Sequence, residues 1–392
     1  MNRRRFLKNV EALGRIGWEE GKGLFRVAFT DEFVKGRDFV AELMKEAGMS
    51  VRVDSVGNLF GCYAGSDESA PAILLGSHLD SVPGGGKHDG HLGVLSALEA
   101  AHSLHERGML RCPVEVVGFN AEEGGHLGGT FGSRAICEEI KPLPAPEVLA
   151  SFGLSAEKID SAKLDFSKYR AYLELHIEQG PVLWRKNIPI GIPTAIVGIT
   201  RYLVTLEGQT NHAGTTPMDE RKDAMKEAAR LLSRWYDRVD EMRKENFVCN
   251  VGVFSLEPGV AAIVPGRASF VLELRSTDDA VVEMLAKNFR ELLSSAPLPA
   301  SMELTIAKHA VKLDEPLRGL IRDTCREIKI DFLDMPSGAA HDASPIAMKV
   351  PSAMIFVPSI GGISHSFEES TSFEDMLLGV DVLEKVLEKL VL

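Results

Sequence analysis

The sequence predicts an α/β protein in which a mixed sheet is flanked by helices, with a smaller α+β domain inserted into it. Short apolar runs such as Ala72–Leu75 end in polar loops and are followed by helical periodicity, the alternation typical of α/β folds. The composition changes after about Gly198, and residues 199–313 contain their own complete set of strands and helices. We therefore predict a catalytic domain formed by residues 1–198 and 314–392, interrupted by a domain at 199–313.

Composition limits the possible partners and the cellular compartment. The 392 residues include 44 basic and 56 acidic ones, a net charge of -12, which argues against nucleic acid and anionic membranes as partners. The cysteines are scattered, odd in number and without CxxC spacing: Cys62, Cys112, Cys137, Cys249 and Cys325. This pattern predicts a reducing cytoplasm and no disulfide framework.

The N-terminus resembles a twin-arginine export signal only at first sight. Charged residues follow Asn2–Lys8, where such a signal needs an apolar stretch of about 7–15 residues. We predict instead an amphipathic helix over residues 3–14 with Phe6, Val10 and Leu13 on its buried face, and no transmembrane segment anywhere.

The remaining elements of the catalytic domain follow from periodicity and capping signals. Predicted helices cover Glu32–Ala47 after a cap at Thr30, the stretch from Leu92 to Leu98, Ser133–Ile140, Glu315–Ile328, and a last helix after Ser372 and Asp375. Predicted strands cover Ser50–Val53, Asn58–Tyr63, Ala72–Leu75, Val114–Phe119, Ala171–Glu178 and Ser352–Pro358. Pro142–Lys168 is polar and is predicted to be a surface excursion.

The inserted domain is predicted to have a mostly antiparallel sheet. Its predicted strands are Arg201–Glu207, Asn250–Leu256, Ala268–Leu274 and Met302–His309, and its predicted helices are Asp223–Arg243 and Asp278–Leu293.

The loop after the strand at Ala72–Leu75 contains the chemistry-bearing residues. His78 and Asp80 come first, and Asp89 follows a Gly/Pro-rich loop. Ligands bind at the carboxyl ends of strands in open α/β sheets. Imidazole and carboxylate without a nearby thiolate favour Zn, Mn, Co or Ni over a structural cysteine-type zinc site. We predict a two-metal hydrolytic site with Asp89 at its centre.

Other strand ends supply the partners of Asp89. An isolated Glu122–Glu123 pair is more often a solvated acidic loop, and His176 or His365 alone is more often a core or loop histidine. The candidate ligands, four of them at strand ends or in the loops that follow, are His78, Asp89, Glu123, His176 and His365. Paired carboxylates let one bind metal while Glu122 takes a proton from water.

Two other signatures fail on inspection. Gly84–Lys87 resembles a phosphate loop, but His88 stands where Ser or Thr is required. Ser364 precedes His365, but no Gly-x-Ser-x-Gly elbow surrounds it, which argues against a serine hydrolase.

Blocks along nearly the whole chain carry a family resemblance: GSHLDSVPGGGKHDGHLGV, NAEEGG, FGSRA, LELHIEQGPVL, HAGTTPMDERKDA, VPGRASFVLELR, SGAAHDA and GISHS. With these blocks the chain resembles the hydantoinase/carbamoylase family of amidases, which includes N-carbamoyl-amino-acid hydrolases, β-ureidopropionase and allantoate amidohydrolase. The resemblance implies a catalytic domain of the dinuclear metallopeptidase type. It also implies that the inserted domain is a lid and the dimerisation domain of a homodimer.

The resemblance further implies two divalent metal ions per subunit, bridged by Asp89. The implied ligands of one ion are His78, Asp89 and His176, and those of the other are Asp89, Glu123 and His365. Asp80 would orient His78, and Glu122 would be the general base and later the proton donor.

The implied substrate contacts come from both domains. His212 would donate to the developing oxyanion, in its own or the partner subunit. Gln179 and Arg275 match substrate-binding positions, with Arg275 suited to a bidentate grip on a carboxylate. His341 lies in the SGAAHDA block, which the resemblance places near the substrate pocket.

Three positions depart from the family pattern and leave the substrate open. Ala262 stands where the family usually has an Asn, His91 replaces a small residue, and His126 lies in a loop that usually reads Ser-Arg-Phe.

Together these features predict a metal-dependent amidohydrolase that cleaves a linear C–N bond. The expected substrate is an N-carbamoyl-L-amino acid, giving the amino acid, CO2 and ammonia. Allantoate is the alternative, followed by N-acyl amino acids or a dipeptide. A catalytically silent ligand-binding protein is a different possibility, and the presence of Glu122 with all five candidate ligands argues against it.

Overall fold

The computed structural model describes residues 1–242 and 246–391. Within it the chain forms two compact units, a first unit of Met1–Ile196 with Lys312–Leu392 and a second unit of Val197–Val311.

The elements follow one another along the chain in three stretches. Up to residue 196 they are α1 (Arg3–Gly14), β1 (Trp18–Glu19), β2 (Gly23–Leu24), α2 (Asp31–Glu46), β3 (Ser50–Val53), β4 (Leu59–Tyr63), β5 (Ala72–His78), α3 (His91–Glu106), β6 (Val114–Phe119), α4 (Phe131–Ile136), α5 (Pro146–Ser151), α6 (Ala156–Ser161), β7 (Tyr169–Ile177), α7 (Val182–Lys186) and β8 (Ile190–Ile196). The second stretch contains β9 (Gly198–Glu207), β10 (Asn211–His212), α8 (Ala224–Glu241), β11 (Phe247–Glu257), β12 (Ile263–Val264), β13 (Arg267–Ser276), α9 (Asp279–Ser294) and β14 (Ala300–Lys308). The third contains β15 (Val311–Lys312), α10 (Glu315–Glu327), β16 (Phe332–Ser337), α11 (Ala343–Ile346), β17 (Ser352–Val357) and α12 (Phe373–Val391).

The first unit is built on a mixed sheet in the order β15-β8-β17-β7-β5-β6-β4-β3, with β16 beside β8. The central strands β17, β7, β5 and β6 run parallel, and β4 and β3 are antiparallel. Alternate residues of β5 enter two different cores, because successive side chains of a strand point to opposite faces. Ile73 belongs to the same core as Leu95 of α3 and Leu383 of α12. Leu74 belongs to the core on the opposite face of the sheet, with Ile346 of α11. The predicted mixed sheet flanked by helices is confirmed.

The second unit has an antiparallel sheet in the order β11-β13-β9-β14. Residues of β13 alternate between buried and half-exposed, so the strand presents one face to a core under α8 and α9. Trp235 of α8 packs edge-on against Phe289 of α9, with ring centroids 5.2 Å apart. Phe270 of β13 completes this core.

Most predicted elements agree with the structure to within a few residues. The helix over residues 3–14 is confirmed with its buried face, and Ser372 Oγ caps α12 by accepting from the backbone N–H of Asp375 at 3.0 Å. α4 ends at Ile136 and not at Ile140. Arg243, the predicted end of the helix that begins after Asp223, lies outside the described residues.

The surface excursion predicted at Pro142–Lys168 is mostly exposed or half-exposed, but it also has a buried side that was not predicted. This segment forms α5 and α6, and their Leu149 and Ile159 are buried in a core with Phe131. β8 and β16 were not predicted, because Pro193 and Pro336 interrupt their sequences with residues that usually disfavour strands.

Among the described residues, every helix is too short or too polar to cross a lipid bilayer.

Candidate metal centre

The predicted site residues of the first unit lie at one edge of its sheet. β5 ends at His78, which is paired in register with Phe119 at the end of β6. His176 lies near the end of β7, beside Phe356 of β17. Parallel neighbours end at the same edge, so the loops that follow β5, β6 and β17 meet there.

A first cluster consists of His78, Asp89 and His176, all buried. Oδ1 of Asp89 lies 3.2 Å from Nε2 of His176 and 3.7 Å from Nε2 of His78. Burial raises the pKa of Asp89, but these two imidazoles outweigh it and hold that pKa well below its usual range. The carboxylate of Asp89 is therefore ionised.

A second cluster shares Asp89 and adds Glu123 and His365. Nε2 of His365 lies 3.5 Å from Oδ2 of Asp89 and 3.4 Å from Oε2 of Glu123. Asp89 thus faces the first cluster with Oδ1 and the second with Oδ2. A carboxylate placed in this way can bridge two cations.

The donor atoms of the two clusters fit divalent cations. Among the described residues, no group donates a hydrogen bond to Oδ1 of Asp89 or to Oε1 of Glu123, although both oxygens are buried. A buried acceptor left unpaired costs about 1–3 kcal/mol, and a cation would remove that cost. The imidazole and carboxylate donors suit Zn, Mn, Co or Ni.

The centre also has an excess of buried carboxyl groups. The buried ones are Asp80, Asp89, Glu122, Glu174, Asp342 and Glu369. Burial raises the pKa values of Glu122 and Glu123 well above the ordinary range of a glutamate, and the carboxylate of Asp89 adds to the effect at Glu123. Positive charge at the centre would favour the ionised forms.

Glu122 lies beside the first cluster without belonging to either cluster. Its Oε2 is 4.0 Å from Nε2 of His78, and its backbone carbonyl accepts from the N–H of Thr130 at 2.7 Å. A carboxyl group with a raised pKa next to the two clusters is suited to move a proton.

Asp80 holds the glutamate loop as well as His78. Its two carboxylate oxygens accept from the backbone N–H groups of Glu122 and Glu123, at 3.0 and 3.1 Å. The close contact with Nδ1 of His78, at 3.0 Å, is made by the backbone carbonyl of Asp80, and the carboxylate is 3.8 Å away. Asp80 therefore joins the loops after β5 and β6.

Tight backbone geometry shapes the centre. Gly90 has a φ of 72°, and a side-chain carbon there would lie 2.3 Å from the ring of His78. Ala121, Gln179 and His365 have left-handed φ values of 59°, 58° and 55°. Such conformations cost about 1–3 kcal/mol each and cluster at functional sites.

Gln179 and His341 lie next to the clusters. The amide of Gln179 donates to Oδ2 of Asp89 at 2.8 Å. The ring of His341 packs edge-on against that of His176, with centroids 4.5 Å apart, and its Nε2 lies 2.8 Å from the hydroxyl of Ser337. Burial lowers the pKa of His341 well below its usual range, so this ring is neutral.

Three buried acids of the centre were missed in the sequence. Glu174 accepts from the hydroxyl of Ser77 at 2.8 Å, and Asp342 accepts from the hydroxyl of Ser133. Glu369 contacts the loops of both clusters. Burial and the carboxylate of Asp89 raise the pKa of Glu369 to about 7. Only the position of Asp342 directly after His341 offered a signal, since the other two lie in ordinary strand or loop patterns.

His212 and Arg275 belong to the second unit. Nδ1 of His212 accepts from the backbone N–H groups of Gly214 and Thr215, at 3.0 and 3.2 Å. A neutral ring therefore has its proton on Nε2 and can donate from there. Nε of Arg275 donates to Glu273 at 2.8 Å.

The three departures from the family pattern occupy different surroundings. The backbone carbonyl of Ala262 accepts from the N–H of Ala213, next to His212. Nδ1 of His91 lies 2.7 Å from the guanidinium of the buried Arg26. His126 lies in the glycine-rich loop after Glu123.

Comparison with known proteins supports the predicted family. The N-carbamoyl-L-amino-acid amidohydrolase of Paenarthrobacter aurescens is 35% identical over 403 residues, covering 98% of this chain and 97% of that protein. The allantoate amidohydrolase of Bacillus subtilis is 35% identical over 397 residues, covering 97% and 96%. A crystal structure of an amidase of the hydantoinase/carbamoylase family from Burkholderia multivorans has a TM-score of 0.86 and 31% identity, covering 99% of this chain and 97% of the other.

The predicted resemblance is confirmed by these similarities over nearly the full chain. Residues 74–389 match a single family description. The chain belongs to peptidase family M20/M25/M40, a family of metal-dependent hydrolases.

Proposed function

We propose that the protein is an amidohydrolase that uses two divalent ions to hydrolyse an N-carbamoyl-L-amino acid to the amino acid, CO2 and ammonia. The observation behind this proposal is the shared carboxylate of Asp89, whose two oxygens face two separate ligand clusters. His78 and His176 would complete the site of one ion, and Glu123 and His365 that of the other.

Two divalent ions at such a centre would polarise the carbonyl group under attack and make a water molecule more acidic. Glu122 would accept the proton of the attacking water and return it to the leaving nitrogen. Its burial and its position 4.0 Å from His78 support this role.

Two residues of the second unit complete the proposal. His212 would stabilise the oxyanion, in its own or the partner subunit, and its Nε2 is free to donate because the backbone N–H groups of Gly214 and Thr215 hold Nδ1. Arg275 would bind the substrate carboxylate with two parallel hydrogen bonds. Both assignments rest on the family resemblance.

Allantoate is the second candidate substrate. The allantoate amidohydrolase of Bacillus subtilis and the N-carbamoyl-L-amino-acid amidohydrolase of Paenarthrobacter aurescens are both 35% identical to this chain. Ala262 offers no side-chain hydrogen bond at a position where the family usually has an amide, and this difference leaves allantoate as a candidate.

We also propose a cytoplasmic homodimer that forms through the second unit, which would serve as lid and dimerisation domain. Val248 and Val253 on the edge strand β11 are each 60% exposed, and Leu304 on β14 is 58% exposed. Long exposed edge strands with apolar residues are unfavourable in a monomer. The five cysteines are all free thiols, as expected in a reducing compartment.

A substrate panel tests the proposed activity. Protein loaded with Zn, Mn, Co or Ni would be assayed for ammonia release from N-carbamoyl-L-amino acids, allantoate and N-acetyl-amino acids, the last scored by release of the free amine. We expect turnover of carbamoyl-amino acids, two ions per subunit by elemental analysis, and loss of activity with chelator. His365→Ala should lose one ion, whereas His309→Ala, whose side chain is 84% exposed, should keep both.

Other outcomes would change the assignment. If only allantoate is turned over, allantoate becomes the assigned substrate and the proposed two-ion hydrolysis stands. Folded, metal-loaded protein that binds these compounds without any turnover would be a ligand-binding relative and would contradict the proposal.

A further inference from the structure

Glu369 lies between the loops that contain Asp89 and His365. One carboxylate oxygen, Oε1, accepts from the backbone N–H of Asp89 at 3.2 Å. The other, Oε2, accepts from the hydroxyl of Ser364 at 2.8 Å and from the backbone N–H of His365 at 3.2 Å. The side chain thus joins two segments that are distant in sequence and that meet only in the folded protein.

The surroundings hold this carboxylate in place. Glu369 is only 4% exposed. A side-chain carbon added at Gly86 would lie 2.3 Å from its Oε1, so the loop before Asp89 packs directly on the carboxylate. The backbone N–H of Ile360 donates to the carbonyl of Ser370 at 2.8 Å, which closes the base of the loop that contains His365.

Glu369 belongs to neither ligand cluster, and its contacts indicate another role. Both of its oxygens already accept hydrogen bonds from protein donors, whereas an oxygen of Asp89 and one of Glu123 have no donor among the described residues. His365 has a left-handed backbone, a conformation that persists only where its surroundings enforce it. The hydrogen bond to its N–H and that to Ser364 supply such enforcement.

We propose that Glu369 is a positioning residue that fixes the distance between Asp89 and His365 and thereby sets the affinity of the second cluster for its ion. This rests on the two-ion function proposed above. Partners that hold metal ligands in place typically change metal affinity 10–100-fold when they are removed. The effect should be larger for the ion of the second cluster, because Glu369 holds both Asp89 and His365 there, whereas in the first cluster it holds only the shared Asp89.

The test measures the two dissociation constants for Zn²⁺ by competition with a chromophoric chelator. Glu369→Gln replaces one acceptor oxygen with a donor NH2 group, so either the N–H of Asp89 or the Ser364 hydroxyl and His365 N–H lose their acceptor. We expect one constant to rise about 10–100-fold and the other, which Glu369 influences only through the shared Asp89, to rise clearly less. Glu368→Gln is the matched control, because Glu368 is the exposed neighbouring glutamate, and both of its constants should match wild type.

Two further variants locate the effect. Gly86→Ala keeps Glu369 but forces its carboxylate to move, so the same constant should rise; this variant also serves if Glu369→Gln does not fold. In a His365→Ala background, Glu369→Gln should have little further effect on the remaining ion, because both changes act on one site. Thermal unfolding of the metal-free variants shows whether each is folded.

The outcomes separate the two proposals. Wild-type protein that binds fewer than two ions would contradict the proposed function itself. Wild-type protein with two ions, and folded Glu369→Gln and Gly86→Ala variants with unchanged constants, would overturn only the role of Glu369. An equal rise of both constants would also overturn it, because a general loosening of the fold would then be the cause.

Discussion

The side-chain amide of Gln179 donates a 2.8 Å hydrogen bond to Oδ2 of Asp89, the carboxylate oxygen that faces the second cluster. The same nitrogen lies 3.3 Å from Nε2 of His365. A cation in the second cluster would compete with this amide for Oδ2. The amide would then be available to a substrate.

This contact predicts the behaviour of Gln179→Ala. If the amide is a substrate contact, as the family resemblance implies, and not a required ligand, the ion content should remain at the wild-type value and KM should rise several-fold. Elemental analysis and steady-state kinetics measure the two effects, with the exposed Gln209→Ala as control. Loss of an ion from the variant would instead make Gln179 part of the metal centre.

Glu122→Gln should separate metal binding from proton transfer. Glu122 belongs to neither ligand cluster, so we expect both ions to remain. Turnover should fall about 10²-fold or more, the scale of positioned acid–base catalysis. The exposed Glu147→Gln is the control, and wild-type turnover in Glu122→Gln would place the base elsewhere.

Arg275→Lys should weaken substrate binding. An ammonium group cannot form the two parallel hydrogen bonds that a guanidinium makes to a carboxylate. We expect kcat/KM to fall by a factor equivalent to about 1.5–3 kcal/mol, with ion content unchanged. Arg267→Lys, on the same strand, is the control. A substrate with an amidated carboxylate should lose a similar factor with the wild-type enzyme, and equal rates for both substrates would contradict the anchor role.

Ala262→Asn tests whether the pocket still accepts carbamoyl-amino acids. The change restores the amide that the family usually has at this position, so the KM of an N-carbamoyl-L-amino acid should fall. Kinetics on that substrate and on allantoate provide the comparison. Activity lost on the true substrate, with no gain on carbamoyl-amino acids, would show that Ala262 makes room for a different group.

The raised pKa of Glu369 predicts a pH effect in metal-free protein. This pKa is about 7 in the folded state and about 4.3 in an unfolded chain. Between these values the folded state holds a proton that the unfolded state has lost, so this group's contribution to stability falls as pH rises to 7. Glutamine does not titrate. The Tm of Glu369→Gln minus that of wild type should therefore rise from pH 5 to pH 8. The Tm of Glu368→Gln minus that of wild type should stay constant over this range. A flat difference for Glu369→Gln would contradict the raised pKa.

Local patterns in the sequence were sufficient for the elements and for the candidate ligands. The apolar run before His78 and the strand before Glu122 and Glu123 each have the period and the end signals of a strand. Because parallel strands end at a common edge, this also predicted that ligands from different strands would meet. The clusters around Asp89 agree with that expectation.

The sequence by itself determined the α/β class, the order of most elements and the residue types that can hold metal, because each depends on spacing within a short segment. Only the tertiary structure decided that Asp80 holds the backbone of Glu122 and Glu123, that Gln179 faces Asp89, and that Glu369 joins Asp89 to His365. These relationships depend on hydrogen bonds between segments distant in sequence. No local periodicity encodes them, and they exist only once the sheet has brought the loops together.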